Sequence, residues 1–568
     1  MKKRTVLAIL LSTVMVLGML TGCGNASTNN ATNGENASQN NEQAQGGDEA
    51  SENKPFYQTL DPNVTGSINI MTWNGDGIFH EDIGHWEPDL MTDLTSGNVA
   101  GVYAMAKKFN EMYPNVKINL YAKVGGSNDN IPWEQEMENF KAEHGNYPDI
   151  FSTTALTSEI EKGIVGDFSM YADDPMYQSF NPAIMNLMNY YGMQGGLPQY
   201  VIPWGIFVNK ELAEDNNIDV PDPDWTMDEY TEFVTSADNT NFWGVVYGQP
   251  TQMISTGVDT VTAAMYEYKE IDIASDQVMD LLSYIPQWSQ YEIWTKYNSG
   301  AIDDAIMDDA GRNGYGFFCR NYCLTYAGDP WKLNDAGMGK LEDGTWADGT
   351  VESGSWDIYP RPSTDYRENN VGIVIDPMAI RNIAMDDGDP AMSDSEKAKM
   401  DLAYAFGSYW CGSTEAMQAR ADQQYNSKGT LKSSLSDSFP LVTGEAFEEQ
   451  MEIWYSIGGH KRYADAELMP GFHYVMELWE KGNMWDVADK CYPMKVTVNG
   501  SQESSMVVWE KLQEDWTTGI SSADATWLDA VKANLPDWNE YTKSRLQESQ
   551  DNLKNGLKTY YGFTDSDF

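Results

Sequence analysis

The segment SINIMTW at residues 67–73 begins a series of elements that specifies the fold class. This segment alternates polar and apolar residues, which is typical of a β-strand with one buried face. A second alternating segment, VKINLY, follows at residues 116–121, and a short third segment, DIFST, lies at residues 149–153. Between them, apolar residues recur at helical spacing over 99–110, and 139–143 favours another helix. The order strand, helix, strand, helix, strand predicts an α/β fold with a mostly parallel sheet flanked by helices.

The chain beyond this stretch carries four further local signals. An aromatic, Met-rich segment around 176–193 predicts one helix, and residues 196–210 read as an extended crossing segment. Thr226 is placed as a helix N-cap with Glu229 at the capping-box position. Apolar residues at helical spacing predict a helix over 523–561.

Length and charge restrict the class of protein. Roughly 510 residues follow the N-terminal region, more than one ordinary core holds, so we expect two lobes. The formal net charge of −50 argues against a nucleic-acid partner, because neutralising phosphates requires clustered Lys and Arg. The acidic balance favours a neutral or cationic ligand and a well-solvated surface.

The N-terminal region has the features of a secretory signal. Three cations precede the apolar run 6–20, which is too short for a good membrane span. The sequence LTGC at residues 20–23 resembles the lipobox of bacterial lipoproteins, which implies cleavage before Cys23 and lipidation of its thiol; an ordinary signal with an incidental Cys is the alternative. We assign 1–22 to the signal peptide and 23–56 to the lipid anchor and a disordered tether, which reaches on the order of 30 Å.

Several short motifs occur in a particular order along the chain. They are MTWN at 71–74, FNEMYPNV at 109–116, YPDIF at 147–151, GLP at 196–198 running into VNKEL at 208–212, and WTMDE at 225–229. In this order the chain resembles the family 1 extracellular solute-binding proteins of ABC transporters, in particular the oligosaccharide-binding lipoproteins of Gram-positive bacteria. The resemblance covers residues 66–240 well and is weaker beyond 250.

The resemblance implies a two-lobed fold like that of the type II periplasmic binding proteins, with a hinge between discontinuous lobes. Lobe 1 is expected to comprise 57–200 plus about 378–470, and lobe 2 about 204–372 plus 470–568. Pro198 to Trp204 would form the first crossing and Gly372 to Met378 the second. Pro and Gly in such segments suit a rotation about few bonds.

The function implied is the capture of an oligosaccharide between the lobes and its delivery to the permease subunits of an ABC importer. The protein would be a monomer and not an enzyme, held by its lipid anchor at the extracellular face of the cytoplasmic membrane. Two alternatives stay open. One is the same fold binding a polyamine, a peptide or a metal; the other is a secreted glycoside hydrolase.

The candidate ligand-binding residues combine aromatic faces, which stack on sugar rings, with polar groups that hydrogen-bond to hydroxyls. They are taken from predicted strand ends and crossings, where ligands of open α/β sheets lie. The candidates are Trp73, Asn74, Ser152, Thr153, Tyr200, Trp204, Asp329, Trp331 and Asp376. Each also has a structural interpretation: a hinge-core aromatic residue, a cap or a turn residue.

We expect no cofactor and no catalytic metal. His80 and His85 nearly form a zincin motif but are five residues apart, so they would not share a helical face. Acidic clusters such as 386–389 could bind a structural calcium ion, although none has EF-hand spacing. Cys319 and Cys323 could form a disulfide; we interpret the cysteines beyond Cys23 mainly as small buried hydrophobic residues.

Overall fold

Within the described part of the chain, two β-sheets organise the fold, a seven-stranded sheet and a four-stranded sheet, together with two short hairpins. The computed structural model describes residues 54–86, 97–124, 131–153, 155–245, 272–327, 356–386, 388–389, 391–422, 438–456, 461–486, 491, 495–498, 501–504 and 525–568. The expected α/β class with two sheet-centred lobes is confirmed. The lobe boundaries along the chain stay a prediction.

In chain order the strands of the described residues are β1 Gly66–Gly75, β2 Phe79–His80, β3 Val116–Val124, β4 Ile150–Ser152, β5 Asn189–Tyr190, β6 Met193–Gln194, β7 Leu197–Trp204, β8 Ile206–Asn209, β9 Trp243–Val245, β10 Cys323–Ala327, β11 Trp356–Tyr359, β12 Val371–Ile380, β13 Met484–Asp486, β14 Lys495–Val498 and β15 Ser501–Ser504. The two segments that alternation predicts as strands are confirmed as β1 and β3.

The helices of the described residues flank these sheets. They are α1 Gly97–Met112, α2 Trp133–His144, α3 Leu156–Glu161, α4 Pro175–Ser179, α5 Pro182–Asn186, α6 Lys210–Asp215, α7 Met227–Thr235, α8 Asp276–Leu282, α9 Ile285–Ser289, α10 Ile293–Asn298, α11 Asp304–Asp309, α12 Gly314–Cys319, α13 Asp394–Gly412, α14 Thr414–Asp422, α15 Glu445–Ser456, α16 Pro470–Glu480 and α17 Ala525–Tyr561. None of them combines the length and the apolarity that a membrane-spanning helix requires.

The first sheet is built around the three strands that the opening stretch predicts. β1 pairs in parallel with β3 and with β4, so the carboxyl ends of β1 and β4 lie at one edge. β12 lies antiparallel to β4 on one side and antiparallel to β7 on the other, which adds antiparallel pairs to the parallel centre. β12 therefore stands between β4 and β7, so β4 is one strand away from β7, one of the strands predicted to cross between the lobes.

Two local predictions had opposite outcomes. The capping box is confirmed: the Thr226 hydroxyl accepts from the backbone N–H of Glu229, and the Glu229 carboxylate accepts from the backbone N–H of Thr226. The single helix predicted over 176–193 is wrong, because α4, α5 and the β5–β6 hairpin occupy this segment. Asp174 and Asn181 are the N-caps of α4 and α5, and each is followed by a Pro at the first helical position. The second cap and its Pro start a new helix after α4 has ended.

The chain passes from the first sheet to the second at Gly205, directly after β7 and before β8. A Cβ atom on Gly205 would lie 2.1 Å from Ile358 Cγ2 on β11, so only glycine allows the strands to approach this closely. The return passage lies between β11 and β12, at residues 360–370. The predicted crossings, 198–204 and 372–378, are instead paired strands that lead into these passages.

One long helix contacts both hydrophobic cores. Val531, Leu535 and Leu546 of α17 belong to a core around the second sheet, whereas Leu553 and Leu557 belong to the core that contains the first sheet. The prediction of a helix over 523–561 is thus confirmed, with α17 spanning Ala525–Tyr561. This helix joins parts of the chain that the predicted boundaries assign to different lobes.

A buried ion pair anchors the middle of the first sheet. Arg381, which follows β12, donates to the Asp149 carboxylate at 3.0 Å and also to Asp386. Asp149 precedes β4 and accepts from the backbone N–H of Asn69 on β1 at 2.9 Å. The Arg381 and Asp149 side chains are 4% and 7% exposed, and Asp149 also lies 3.8 Å from Nζ of Lys399, a more exposed cation.

Candidate functional site

The carboxyl ends of β1 and β4 meet the start of β7 in a row of hydrogen-bonded polar side chains. Thr72 Oγ1 lies 2.9 Å from Ser152 Oγ, and Ser152 Oγ donates to Gln199 Oε1 at 2.6 Å. Ser152 has one hydroxyl proton and donates it to Gln199, so Thr72 must be the donor in the contact between Thr72 and Ser152. The backbone N–H of Thr153 donates to Pro377 O on β12 at 3.0 Å. Ser152 and Thr153 therefore lie beside both strands that lead between the sheets.

Tyr200 and Asp376 occupy directly opposed positions on these two strands. Their pairing precedes a bulge between Asp376 and Pro377, where the register of β12 against β7 shifts. Tyr200 is buried and Asp376 is partly exposed. Trp204 lies opposite Gly372, at the end of β7 nearest the passage at Gly205, and its ring is buried. Sequence reasoning thus placed three candidates on the two strands that connect the lobes.

A pair of tryptophan rings lies at the carboxyl end of β1. Trp73 is half-buried, and its ring centroid lies 4.2 Å from that of Trp133 at the start of α2. Sequence reasoning did not select Trp133, although its position after Pro132 could have marked it as the first residue of a helix. The pair presents aromatic surface next to the edge where the polar row begins.

Two buried donors on β7 have no hydrogen-bond partner in the described part of the chain. They are Nε2 of Gln199, whose side chain is 1% exposed, and Nε1 of Trp204, whose side chain is 4% exposed. Gln199 was not among the sequence candidates. Buried donors are nearly always satisfied in folded proteins, so an acceptor from a ligand or from water would be expected at each position.

The second sheet is fixed to α16 through a buried carboxylate. Asp357 on β11 is fully buried and accepts from the backbone N–H groups of Gly471 at 2.8 Å and Phe472 at 3.1 Å. Burial raises the pKa of Asp357, while Lys210, with Nζ 3.6 Å away, and the backbone N–H groups of Gly471, Phe472 and Ile358 oppose this rise. Lys210 Nζ also donates to Leu468 O at 2.9 Å. The carboxylate thus caps α16 from a distant strand.

Four candidates lie wholly or partly outside the described residues. Asp329, Trp331 and Cys23 fall in undescribed segments, and for Asn74 the backbone of β1 is described but its side chain is not. The roles predicted for these residues stay predictions.

The residues considered for metal or disulfide chemistry have other partners. His80 Nε2 lies 2.9 Å from Asp76, and His85 Nδ1 lies 2.7 Å from Asp82. Within the described ranges, no group of three or more His, Cys, Asp or Glu side chains is arranged to hold a metal ion. Cys319 and Cys323 are buried and form no disulfide, and burial raises the pKa of Cys323 well above its ordinary value.

The fold is that of the two-lobed periplasmic binding proteins. A putative oligosaccharide periplasmic-binding protein from Synechococcus sp. MITs9220, solved in complex with zinc, matches with a TM-score of 0.52 at 11% identity, over 84% of this chain and 100% of that one. An ABC substrate-binding protein from Listeria monocytogenes, in complex with cycloalternan, matches with a TM-score of 0.47 at 14% identity, over 88% of this chain and 100% of that one.

The GacH receptor of Streptomyces glaucescens GLA.O, solved unliganded and with acarbose, matches with a TM-score of 0.49 at 15% identity, over 86% of this chain and 100% of that one. No protein-family model matches the chain, and no curated protein matches it either. At these identities the likeness establishes the fold alone.

Proposed function

We propose that this protein is the solute-binding component of an ABC importer and captures an oligosaccharide between its two lobes. The observation that carries the proposal is the passage of the chain between two sheets at Gly205 and again at 360–370, beside an edge lined by aromatic and polar side chains. Segments that connect two bodies through few residues suit a rotation that closes on a ligand. The ligand favours the closed arrangement by binding it more tightly than the open one.

The ligand would contact the side chains at the edge of the first sheet and on the connecting strands. Trp73, which is half-buried beside Trp133, offers a ring face for the C–H surface of a sugar. The rings of Tyr200 and Trp204 are buried and would reach a ligand only when the lobes separate. Asp376 and Thr153 would receive or donate hydrogen bonds to hydroxyls. In this arrangement Ser152 positions Gln199, because its hydroxyl already contacts both Thr72 and Gln199.

The protein would act outside the cell, anchored through Cys23 and presenting its ligand to permease subunits. The first described residues support a tether that ends near Pro55. The backbone N–H of Phe56 donates to Asp174 at 2.7 Å, and the hydroxyl of Tyr57 donates to Glu415 at 3.1 Å. The chain is therefore fixed to the lobe 1 surface directly after the segment that composition assigns to the tether.

A thermal-shift screen of the purified mature protein against a panel of glycans tests this function. A ligand that binds only the folded state raises the melting temperature. Spermidine, short peptides and zinc belong in the same panel, because they test the alternative ligands. A shift by one of these but by no glycan would overturn the sugar assignment, and recovery of a shortened glycan after incubation would indicate an enzyme instead.

The variant Trp204→Phe tests the location of the site. It removes a buried N–H that has no partner among the described residues, so it should lower affinity for the identified glycan by about three- to tenfold, the value of one hydrogen bond. The smaller ring should also lower stability, because Trp204 lies in the core. Trp410→Phe is the matched control, because Trp410 is equally buried within α13 and its N–H also has no described partner. Equal affinities for the two variants in calorimetry would remove Trp204 from the site.

A further inference from the structure

The last turns of α17 lie against the end of α3, and α17 is the described element on which α3 packs most extensively. Two glycines allow this close approach. A Cβ atom on Gly556 would lie 2.7 Å from the Glu161 Cα, and a Cβ atom on Gly163 would overlap the ring of Tyr560. Gly163 also has a φ of +70°, a backbone conformation that favours glycine. The end of α3 and the end of α17 therefore meet at backbone distance.

Further contacts hold the end of α17 on either side of this interface. The Tyr561 hydroxyl donates to Val165 O at 2.7 Å, just beyond the end of α3. On the other side, Gln550 Nε2 donates to the Tyr191 hydroxyl at 2.8 Å, and the ring of the C-terminal residue Phe568 meets the Tyr191 ring edge-on at 4.8 Å. These contacts fix one end of a helix whose earlier turns belong to the core of the second sheet.

A carboxyl group is enclosed where the two helices meet. Glu161 is the last residue of α3 and is half-buried. Because α3 packs most extensively on α17, this helix shields Glu161 from water. Burial raises the pKa of Glu161 to about 7, while the adjacent Lys162 opposes the rise. When the end of α17 moves away, the carboxyl group meets water and regains its ordinary pKa of 4.5.

The charged groups around α3 give an ionised Glu161 little support. Lys162 is shared with α2, since its Nζ lies 3.6 Å from Glu134 Oε1. A second carboxyl group of α3, that of Glu159, is only 3% exposed. Burial, together with Asp167 and Glu159, raises the pKa of the Tyr561 hydroxyl well above its ordinary value. Negative charge is therefore already present on both sides of the contact with α17.

The lysines in the last turns of α17 have other partners. Lys554 Nζ lies 5.6 Å from the centroid of the Tyr191 ring and 5.6 Å from that of Phe568. Lys558 forms an ion pair with Asp565 in the C-terminal tail. Both cations thus contribute to holding the tail and the hairpin at Tyr191, and the closed interface favours an uncharged Glu161.

We propose that the last turns of α17 form a pH-sensitive latch, which holds the helix on α3 while Glu161 is protonated and loosens when this carboxyl group ionises. The closed contact favours the protonated form and water favours the ionised form, so a rise in pH from about 4.5 to 7 progressively favours release. Because α17 contacts both cores, the latch would set how freely the two lobes move apart. The latch involves no bound ligand, so it does not rest on the proposed transport function.

Hydrogen exchange measured by mass spectrometry tests the latch in the purified mature protein and in the variant Glu161→Gln, at pH 5 and at pH 8. A comparison of the two proteins at one pH cancels the direct effect of pH on exchange. Gln keeps the shape of the protonated carboxyl group and cannot ionise. Residues 550–561 should exchange about tenfold faster in the unchanged protein than in the variant at pH 8, and within about twofold at pH 5.

Two control variants separate charge from contact. Glu143→Gln removes one exposed carboxylate of α2, so it changes the net charge equally and should leave exchange in 550–561 as it is in the unchanged protein. Gly556→Ala disrupts the close contact itself and should speed exchange in 550–561 at both pH values.

Three outcomes would overturn the latch. One is equal exchange of the unchanged protein and Glu161→Gln at pH 8. Another is the same slowing by Glu143→Gln, because net charge would then explain the effect. The third is a difference at pH 8 that extends equally over α13 and α16, which would indicate global unfolding in place of local release of α17.

Discussion

Replacing Asp357 with Ala should destabilise the attachment of α16 to the second sheet more than any exposed cap would. The carboxylate is fully buried and accepts two backbone N–H groups, from Gly471 and Phe472, at the start of α16. When the carboxylate is removed, both N–H groups lose this acceptor, and Lys210 loses the carboxylate that lies 3.6 Å from its Nζ. The buried position prevents water from replacing the lost oxygen atoms easily.

The magnitude follows from these contacts. Hydrogen bonds to a charged group contribute about 1.5–3 kcal/mol each, and removing one member of a buried ion pair costs about 3–5 kcal/mol. These contributions overlap, so we expect Asp357→Ala to lower the free energy of unfolding by about 3–5 kcal/mol. Asp357→Asn keeps one acceptor oxygen and the shape of the side chain, and should cost roughly half as much.

Urea unfolding followed by tryptophan fluorescence and by circular dichroism measures the change, and agreement of the two signals checks for a two-state transition. Hydrogen exchange should rise most in α16. The control is Ser393→Ala, which removes the exposed capping box of α13 and should cost about 1 kcal/mol. A loss for Asp357→Ala no larger than that of the control would refute the idea that a buried carboxylate caps α16.

Three other substitutions test separate contacts. Burial raises the pKa of Glu161 to about 7, so the folded protein keeps this carboxyl group protonated up to a higher pH than the unfolded chain does. The free energy of unfolding should therefore fall as the pH rises from about 4.5 to 7. In calorimetry, Glu161→Gln should stabilise the protein by roughly 1–2 kcal/mol at pH 8 and scarcely at pH 4. Gly556→Ala places a Cβ 2.7 Å from the Glu161 Cα, so it should lower the free energy of unfolding by about 1–3 kcal/mol despite the better helix propensity of Ala. The control Asn555→Ala, at the exposed neighbouring position, should leave stability unchanged. Equal melting temperatures for the two variants would contradict this packing. Arg381→Ala leaves the buried Asp149 carboxylate without its guanidinium and should cost about 3–5 kcal/mol, which chemical denaturation would detect.

The local features of the fold were predictable because their signals are local. Alternation over 67–73 predicted β1, and the Thr226–Glu229 spacing predicted the start of α7, since both depend on residues a few positions apart. The prediction of a single helix over 176–193 was wrong because it relied on the apolar content of the segment. Two pairs of a cap residue followed by Pro, at 174–175 and 181–182, are equally local signals and would have indicated two helix starts.

The arrangement at the candidate site was only partly predictable. Strand ends led to Ser152 and Thr153, but nothing local indicates that Gln199 would accept from Ser152, because the two residues are 47 positions apart. The pairing of β7 with β12 joins segments even more distant in sequence, so the hydrogen-bonded partners of Tyr200 and Trp204 depend on tertiary structure. The family resemblance placed the crossings at 198–204 and 372–378, and the passages between the sheets lie just outside these segments, at Gly205 and at 360–370.

The continuity of α17 limits how the lobes can swing. Its last contact with the core of the second sheet, Leu546, and its first contact with the core of the first sheet, Leu553, are seven residues apart, or about 10 Å along an unbroken helix. Pro536, where such a helix would bend most readily, lies before both contacts and gives no joint between them. The helix therefore keeps a fixed distance between its contacts with the two lobes. The lobes can rotate around the helix axis, but they can move apart at this point only if the final turns of α17 lose their contacts with one of them.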